Sequence, residues 1–238
     1  MNEITVVIPT SPIRRHPDTS LIEQTISDIR AHLPDSEIII GFDGIRHEQE
    51  YLRGQYDEFK SRMLWRCLHK YRNVLPIVYD AHMHQSGMML DWLDRVRTPL
   101  LLYVESDTPL TPDRPIDWEK CVNYIYTGRA NTIRFHFENV IPEEHHDLML
   151  GSPDKHGFLR TVQWSQRPHL SSLVYYRDEV MRHFPATART FIEDVFHGVV
   201  YNDWVNHGRI GYNKHRLVIY HPRLSNDRHR RSHGLSST

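Results

Sequence analysis

Pro99-Leu100-Leu101-Leu102-Tyr103-Val104-Glu105-Ser106-Asp107 is the stretch on which the fold reading turns. Six residues without a charge run straight into two carboxylates. A run this short and this apolar predicts a strand covered on both faces, the kind found at the centre of a parallel sheet. Open α/β sheets take their ligands at the carboxyl ends of such strands, where loops reach into a crevice. The acidic tripeptide therefore stands where chemistry is expected.

Working outward, Ile4-Thr5-Val6-Val7-Ile8 is a β-branched run stopped by Pro9, which reads as another buried strand. Ile22, Ile26, Ile29 and Leu33 then recur at helical spacing until Pro34, and Glu37-Ile38-Ile39-Ile40-Gly41-Phe42 gives a second strand that closes on Asp43-Gly44. Strand, helix and strand in this order predict a βαβ unit with parallel strands. The alternation continues with a long polar helix over 47–71, a strand over 76–79 and a helix over 86–97. Beyond Pro112 it loosens into a helix at Trp118, Cys121, Val122 and Ile125, strands over 131–137 and 171–176, and a late strand, Val218-Ile219-Tyr220, ending in His221-Pro222.

This predicts an α/β chain with a Rossmann-like, mostly parallel central sheet flanked by helices and a mixed second half. Residues 1–111 and 112–222 form two halves of one expected domain, and 223–238 a flexible basic tail. With 238 residues, 39% hydrophobic and 25% charged, and a net charge of -1, the composition is that of a globular enzyme and announces no nucleic-acid binder. Cys67 and Cys121 sit in apolar helical patterns, which excludes a disulfide framework. A strand-like start without a leader, and no apolar run near the ~20 residues of a membrane helix, predict a cytoplasmic protein.

In an extended strand Glu105 and Asp107 project to one side, with Ser106 turned away, so two carboxylates can meet one hard cation. Mg²⁺ or Mn²⁺ is commonly held by one or two carboxylates together with substrate phosphates. Arg14, Arg15 and His16, in the first loop, are placed to meet phosphate.

The order of these motifs resembles the GT-A fold glycosyltransferases, in particular the large inverting family of bacterial surface-polysaccharide enzymes. Val7-Ile8-Pro9-Thr10 matches the end of that family's first strand, Phe42-Asp43-Gly44 its second, and Glu105-Ser106-Asp107 its Asp-x-Asp signature, with glutamate in the first place. The resemblance implies transfer of a sugar from a nucleoside-diphosphate donor, with UDP-sugar favoured, to a hydroxyl acceptor. Pro9, Thr10, Arg14, Asp43, Glu105, Ser106 and Asp107 would form the donor site. Asp107, Glu105 and His221 would hold Mn²⁺ or Mg²⁺. Asp43 would hydrogen-bond the base, although a turn residue before Gly44 reads the same way. Phe191-Ile192-Glu193-Asp194 resembles the family's Glu-Asp pair, which implies Asp194 as general base; Thr190-Phe191-Ile192-Glu193 also reads as a capping box.

Two rival functions follow from the same core. A sugar-phosphate nucleotidyltransferase needs a glycine-rich loop after the first strand, and Thr10-Ser11-Pro12-Ile13-Arg14-Arg15 has no glycine. A non-catalytic nucleotide-sugar-binding module would keep the pocket and lose turnover. The acceptor carries no readable motif. Small glycans, lipid-linked sugars, proteins and a hydroxymethylated base in DNA all stay open, DNA requiring that Arg14, Arg15, Arg167, Arg228, Arg230 and Arg231 cluster in space.

Overall fold

A computed structural model of the chain describes residues 3–108, 110, 115–136 and 140–221. The first strand, β1 (Ile4–Thr10), is buried at all seven positions. Helix α1 (Ser20–His32) buries Ile22, Ile26 and Ile29, the stripe that the sequence spacing predicts. Strand β2 (Glu37–Phe42) pairs in parallel with β1, from Thr5 opposite Glu37 to Thr10 opposite Phe42. The βαβ expectation holds.

The segment expected as one long helix begins as a tighter 3-10 stretch (His47–Leu52) that buries Leu52, and becomes α2 at Arg53–His69. Strand β3 (Val74–Val78) starts two residues before the expected position and is only partly covered. Pro76 is tolerable there because β3 pairs with β2 on one side only, and an edge strand can spare an N–H. Helix α3 (His84–Leu93) follows, then β4 (Leu100–Tyr103), whose four residues are all buried.

After the carboxylates come α4 (Trp118–Tyr126), β5 (Thr132–Phe135), β6 (Phe158–Thr161) and β7 (His169–Ser172). The strand expected over 171–176 stops at Ser172. There the hydroxyl accepts the Tyr175 N–H at 3.4 Å and starts α5 (Leu173–Tyr175), which runs on as a π-helical turn to Val180. A capping side chain overrides the β propensity of Leu173, Val174, Tyr175 and Tyr176. The chain then forms α6 (Ile192–His207), α7 (Arg209–His215) and β8 (Leu217–Tyr220).

Two compact units result. The first comprises Met1–Arg114 and Gln166–Phe196, the second Pro115–Ser165 and His197–Thr238. The stretch 166–196, expected with the second half, clusters with residues 1–114. In the first unit the strand order is β3-β2-β1-β4-β7, with β7 antiparallel to β4 and the other pairs parallel. Its core is the apolar run of each strand: Val6, Val7, Ile8, Ile38, Ile39, Ile40, Leu101 and Leu102 are each 0% exposed. Each such side chain contributes about 1.5–3 kcal/mol by leaving water.

In the second unit β8 pairs in parallel with β5 and antiparallel with β6. Helix α4 is capped by Asp117, whose side chain accepts the Lys120 N–H at 3.0 Å, and it buries Trp118, Cys121, Val122 and Ile125. Both cysteines are buried free thiols. Trp164 is 2% exposed in this unit.

Gly41 shows how tightly the first unit is packed. A Cβ at this position of β2 would fall 2.2 Å from Cζ2 of Trp92, itself fully buried. Gly41→Ala is therefore expected to lower the urea midpoint by an amount equivalent to about 1–3 kcal/mol at unchanged m-value. A midpoint equal to that of the wild type would refute this packing account.

Candidate active site

At the carboxyl ends of β1, β2 and β4 the first unit encloses a cavity of about 310 Å³. Pro9, Thr10, Asp43, Glu105, Ser106 and Asp107, all expected at a donor site, line it. Arg14 does not. It is exposed, and the basic side chains on the wall are Arg15 and Arg46. Arg46 lies three residues beyond Asp43, in the loop after a strand's carboxyl end, a position from which the sheet rule could have found it.

Side chains within and beside the first loop brace it. Arg15 Nε donates to Asp18 at 2.8 Å and its Nη2 to Ser20 Oγ at 3.3 Å. His16 is 5% exposed and stacks on Phe59, with ring centroids 3.9 Å apart, and on Tyr56 at 5.2 Å. Burial pushes its pKa down to about 4, so at neutral pH it is an uncharged aromatic wall.

Asp43 carries more protein contacts than either sequence reading allowed for. It is 1% exposed. Its Oδ1 accepts the N–H of Gly44 at 2.8 Å and of Met83 at 2.6 Å; its Oδ2 accepts the N–H of His84 at 3.0 Å and lies 2.8 Å from His82 Nδ1. Three backbone N–H groups thus hold the carboxylate, with the His82 ring beside it. Asp43 therefore ties the end of β2 to the N-terminus of α3, and its role is to build the wall.

The start of α3, which it holds, delivers three further wall residues: His84, Gln85 and Met88. His84 is buried with a left-handed φ of 57°, and its Nδ1 accepts the Gln85 N–H at 2.8 Å. Burial, then Arg46 and His82, holds its pKa below the ordinary value. Its ring meets Phe191 edge to face at 4.6 Å, which brings the residue before α6 onto the wall.

The acidic tripeptide is a turn and not an extended strand. Strand β4 ends at Tyr103, and the Thr108 N–H returns to Glu105 O at 3.2 Å. Thr25 of α1 pins it by donating to Ser106 O at 2.8 Å. Alternation along a strand consequently does not set the directions of Glu105 and Asp107. Glu105 is half-buried and Asp107 exposed. Glu105 Oε1 accepts from Gln85 Nε2 at 2.7 Å and from the Tyr103 hydroxyl at 3.4 Å. Burial first, then the charge of Asp107, pushes the Glu105 pKa up to about 7. Two oxygen-donor carboxylates close enough to repel, one of them desolvated, are short of positive charge, and a hard divalent cation fits that donor set.

The remaining expected residues lie elsewhere. Asp194 is exposed in the first turn of α6, three residues past Phe191. The capping box is not formed: α6 begins at Ile192, the Thr190 N–H donates to Ser86 Oγ at 3.1 Å, and Glu193 Oε2 accepts the Gln166 N–H at 2.9 Å. His221 closes β8 in the second unit, is 4% exposed, and donates its N–H to Gly157 O at 3.1 Å. Among the described residues no group of three or more His, Cys, Asp or Glu side chains is arranged to hold a metal. Arg167 is exposed, whereas Arg228, Arg230 and Arg231 and the expected basic tail lie outside the described residues. Among the described residues no helix is long and apolar enough to cross a membrane.

No protein-family model and no curated protein sequence matches the chain. Solved structures do. TarS from S. aureus, residues 1–349 in complex with UDP-GlcNAc, aligns over 93% of this chain and 56% of its own with 10% identity and a TM-score of 0.51. The mannosyltransferase PcManGT from Pyrobaculum calidifontis, in complex with GDP-Man and Mn²⁺, aligns over 92% of this chain and 56% of its own with 9% identity and a TM-score of 0.53. GalNAc-T7 with UDP, GalNAc and Mn²⁺ aligns over 92% of this chain and 42% of its own with 13% identity and a TM-score of 0.55. The chain spans 35% to 58% of the length of the TarS structures it matches. The likeness is one of fold: the chain has the GT-A-type fold of nucleotide-sugar glycosyltransferases.

His16 makes the wall sensitive to acid in a predictable direction. Its folded pKa, about 4, lies below the ordinary 6.5, so between these values the unfolded chain binds a proton that the folded chain does not. Stability contributed by neutral His16 is full above that window and is lost as pH falls through it. Urea midpoints of the wild type and His16→Phe, compared at about pH 7.5 and about pH 4.5, are expected to shift in the variant's favour at acid pH. A pH-independent difference would contradict the buried, neutral imidazole.

Proposed function

We propose that the chain is a metal-dependent glycosyltransferase that moves a sugar from a nucleoside-diphosphate donor, with UDP-sugar favoured, to a hydroxyl acceptor. The observation that carries this reading is the cavity at the sheet's carboxyl ends, which gathers Glu105 and Asp107 with Arg15 and Arg46. The fold supports it, as do the UDP-sugar, GDP-Man and Mn²⁺ present in the matched structures.

In this reading Pro9, Thr10 and the stacked His16 frame the nucleoside, and Arg15 and Arg46 face the diphosphate. Asp107, exposed at the turn, and Glu105 beside it hold Mn²⁺ or Mg²⁺. When bound, such an ion neutralises the charge that grows on the departing diphosphate. Asp194 takes the proton of the acceptor hydroxyl. The hydroxyl oxygen bonds to the anomeric carbon as the bond from that carbon to the diphosphate oxygen breaks, and the nucleoside diphosphate leaves with its electron pair. Attack on the face opposite the leaving group inverts the anomeric centre, and a single carboxylate base suffices.

Donor and cation can be tested together. Thermal melting with UDP-, GDP- and TDP-sugars, each with and without Mn²⁺, is expected to rise by about 5–10 °C at saturating ligand when sugar nucleotide and Mn²⁺ are both present. Asp107→Asn should abolish the rise. Asp194→Asn should keep it and slow transfer by about 10²–10⁴-fold. A melting point unmoved by every donor with Mn²⁺ would sink the assignment.

A further inference from the structure

Two buried glutamines join the donor cavity to the start of α6. Gln85 and Gln166 are 8% and 6% exposed. Gln85 Nε2 donates to Glu105 Oε1 at 2.7 Å, Gln166 Nε2 donates to Gln85 Oε1 at 2.8 Å, and the Gln166 backbone N–H donates to Glu193 Oε2 at 2.9 Å. All four residues belong to the first unit.

The chain of bonds has a fixed sense. With Glu105 ionised, as it must be to hold a cation, the carboxylate only accepts, so Gln85 turns its NH₂ to Glu105 and its carbonyl the other way. That carbonyl requires a donor, which orients the Gln166 amide in turn. Flipping either amide would set like groups against each other in a buried place, where an unmade hydrogen bond costs most. Gln166 then passes the constraint to its own backbone, whose N–H is held by Glu193. The next residue is Asp194.

We propose that Gln85 and Gln166 are positioning residues forming a relay that locks Glu105, and with it the cation end of the donor site, to the first turn of α6 that carries Asp194. This rests on the glycosyltransferase reading of the cavity. Both donors to Glu105, Gln85 and the Tyr103 hydroxyl, meet Oε1, so neither makes use of Oε2. The relay thereby sets the carboxyl plane without consuming the second oxygen. Sequence alone offers no sign of it, since 81 residues separate Gln85 from Gln166.

The test uses the full chain with Mn²⁺ and UDP as probes. Gln85→Met, Gln166→Met and the double variant keep the side-chain volume and remove the amides. Mn²⁺ affinity in the presence of UDP is read by electron paramagnetic resonance, and the melting point is read without metal. Each single variant is expected to lose about tenfold in Mn²⁺ affinity, because a hydrogen bond to a charged group is withdrawn or misaligned. The double variant should lose no more than the worse single one, since both changes break one path.

A purely structural pair would lower the metal-free melting point and leave Mn²⁺ affinity unmoved, which overturns the relay. Losses that multiply in the double variant overturn it as well. Should Gln85→Met not fold, Gln166→Met decides, because it leaves Gln85 against Glu105 and still should weaken the cation. Wild-type protein that binds neither Mn²⁺ nor UDP defeats the glycosyltransferase reading and the relay with it; wild-type binding with unaffected variants defeats the relay alone.

Discussion

A carboxylate that is 1% exposed must be fully partnered, and the partners of Asp43 are the constraint from which the cavity follows. Leaving an ionised group in that position without donors would cost several kcal/mol. The chain meets this demand by bringing Gly44, His82, Met83 and His84 around it. Forty residues of sequence are thereby closed into one corner, and α3 must start at that point. Arg46 on one side of the corner and His84 and Gln85 on the other become wall residues as a result. The carboxylate does at the N-terminus of α3 what a local capping residue does elsewhere, from a distant strand end.

Electrostatics in the cavity are unbalanced in a way that structural needs alone do not explain. The apolar core of the first unit would be complete without Glu105, yet this carboxyl is half-buried beside a second one at Asp107. Stability alone would favour an amide or an apolar residue there. Across the cavity Arg15 is braced by Asp18 and Ser20, and His16 is neutral, so the first loop contributes shape and stacking more than charge. The site thus combines an aromatic wall, a braced guanidinium and a pair of mutually repelling carboxylates. Such a set suits a cation and an anionic ligand together, as the proposed function requires.

What the sequence made legible is what short-range periodicity encodes. Ile4 to Ile8, the stripe of α1 and the run from Leu100 to Tyr103 announce a parallel βαβ core, because burial on both faces leaves a continuous apolar string. The cavity residues after each strand were legible too, since strand ends and loops are local features. The Glu105 turn was not: an acidic tripeptide after a strand reads as extended, and only Thr25 of α1 and the Thr108 N–H bend it. Ser172, which ends β7, looks like any serine in a β-rich run until its hydroxyl is seen to accept the Tyr175 N–H. The capping box at Thr190 failed for the same reason, as Ser86 and Gln166 compete for its groups across the fold. The Thr25–Ser106, Ser86–Thr190 and Gln166–Glu193 bonds join residues far apart in sequence, and no pattern within a window of ten residues contains them.

The matched structures share 9% to 13% identity with the chain over more than nine-tenths of its length, so the fold persists although few residues do. That is what a sheet fixed by burial permits, since any β-branched or aliphatic residue serves in β1, β2 or β4 provided volume and pattern are kept. Polar bonds have no such freedom, because the Asp43 corner and the Glu105–Gln85–Gln166–Glu193 chain each require particular donors and acceptors at fixed distances. Function lives in sites grafted onto folds, and divergence acts on the two unequally. The apolar framework can drift while the strand ends stay in place, and the polar set built on those ends is where a chain of this fold acquires its own chemistry. Here that set reaches from the turn after β4 to the first turn of α6, within the first unit.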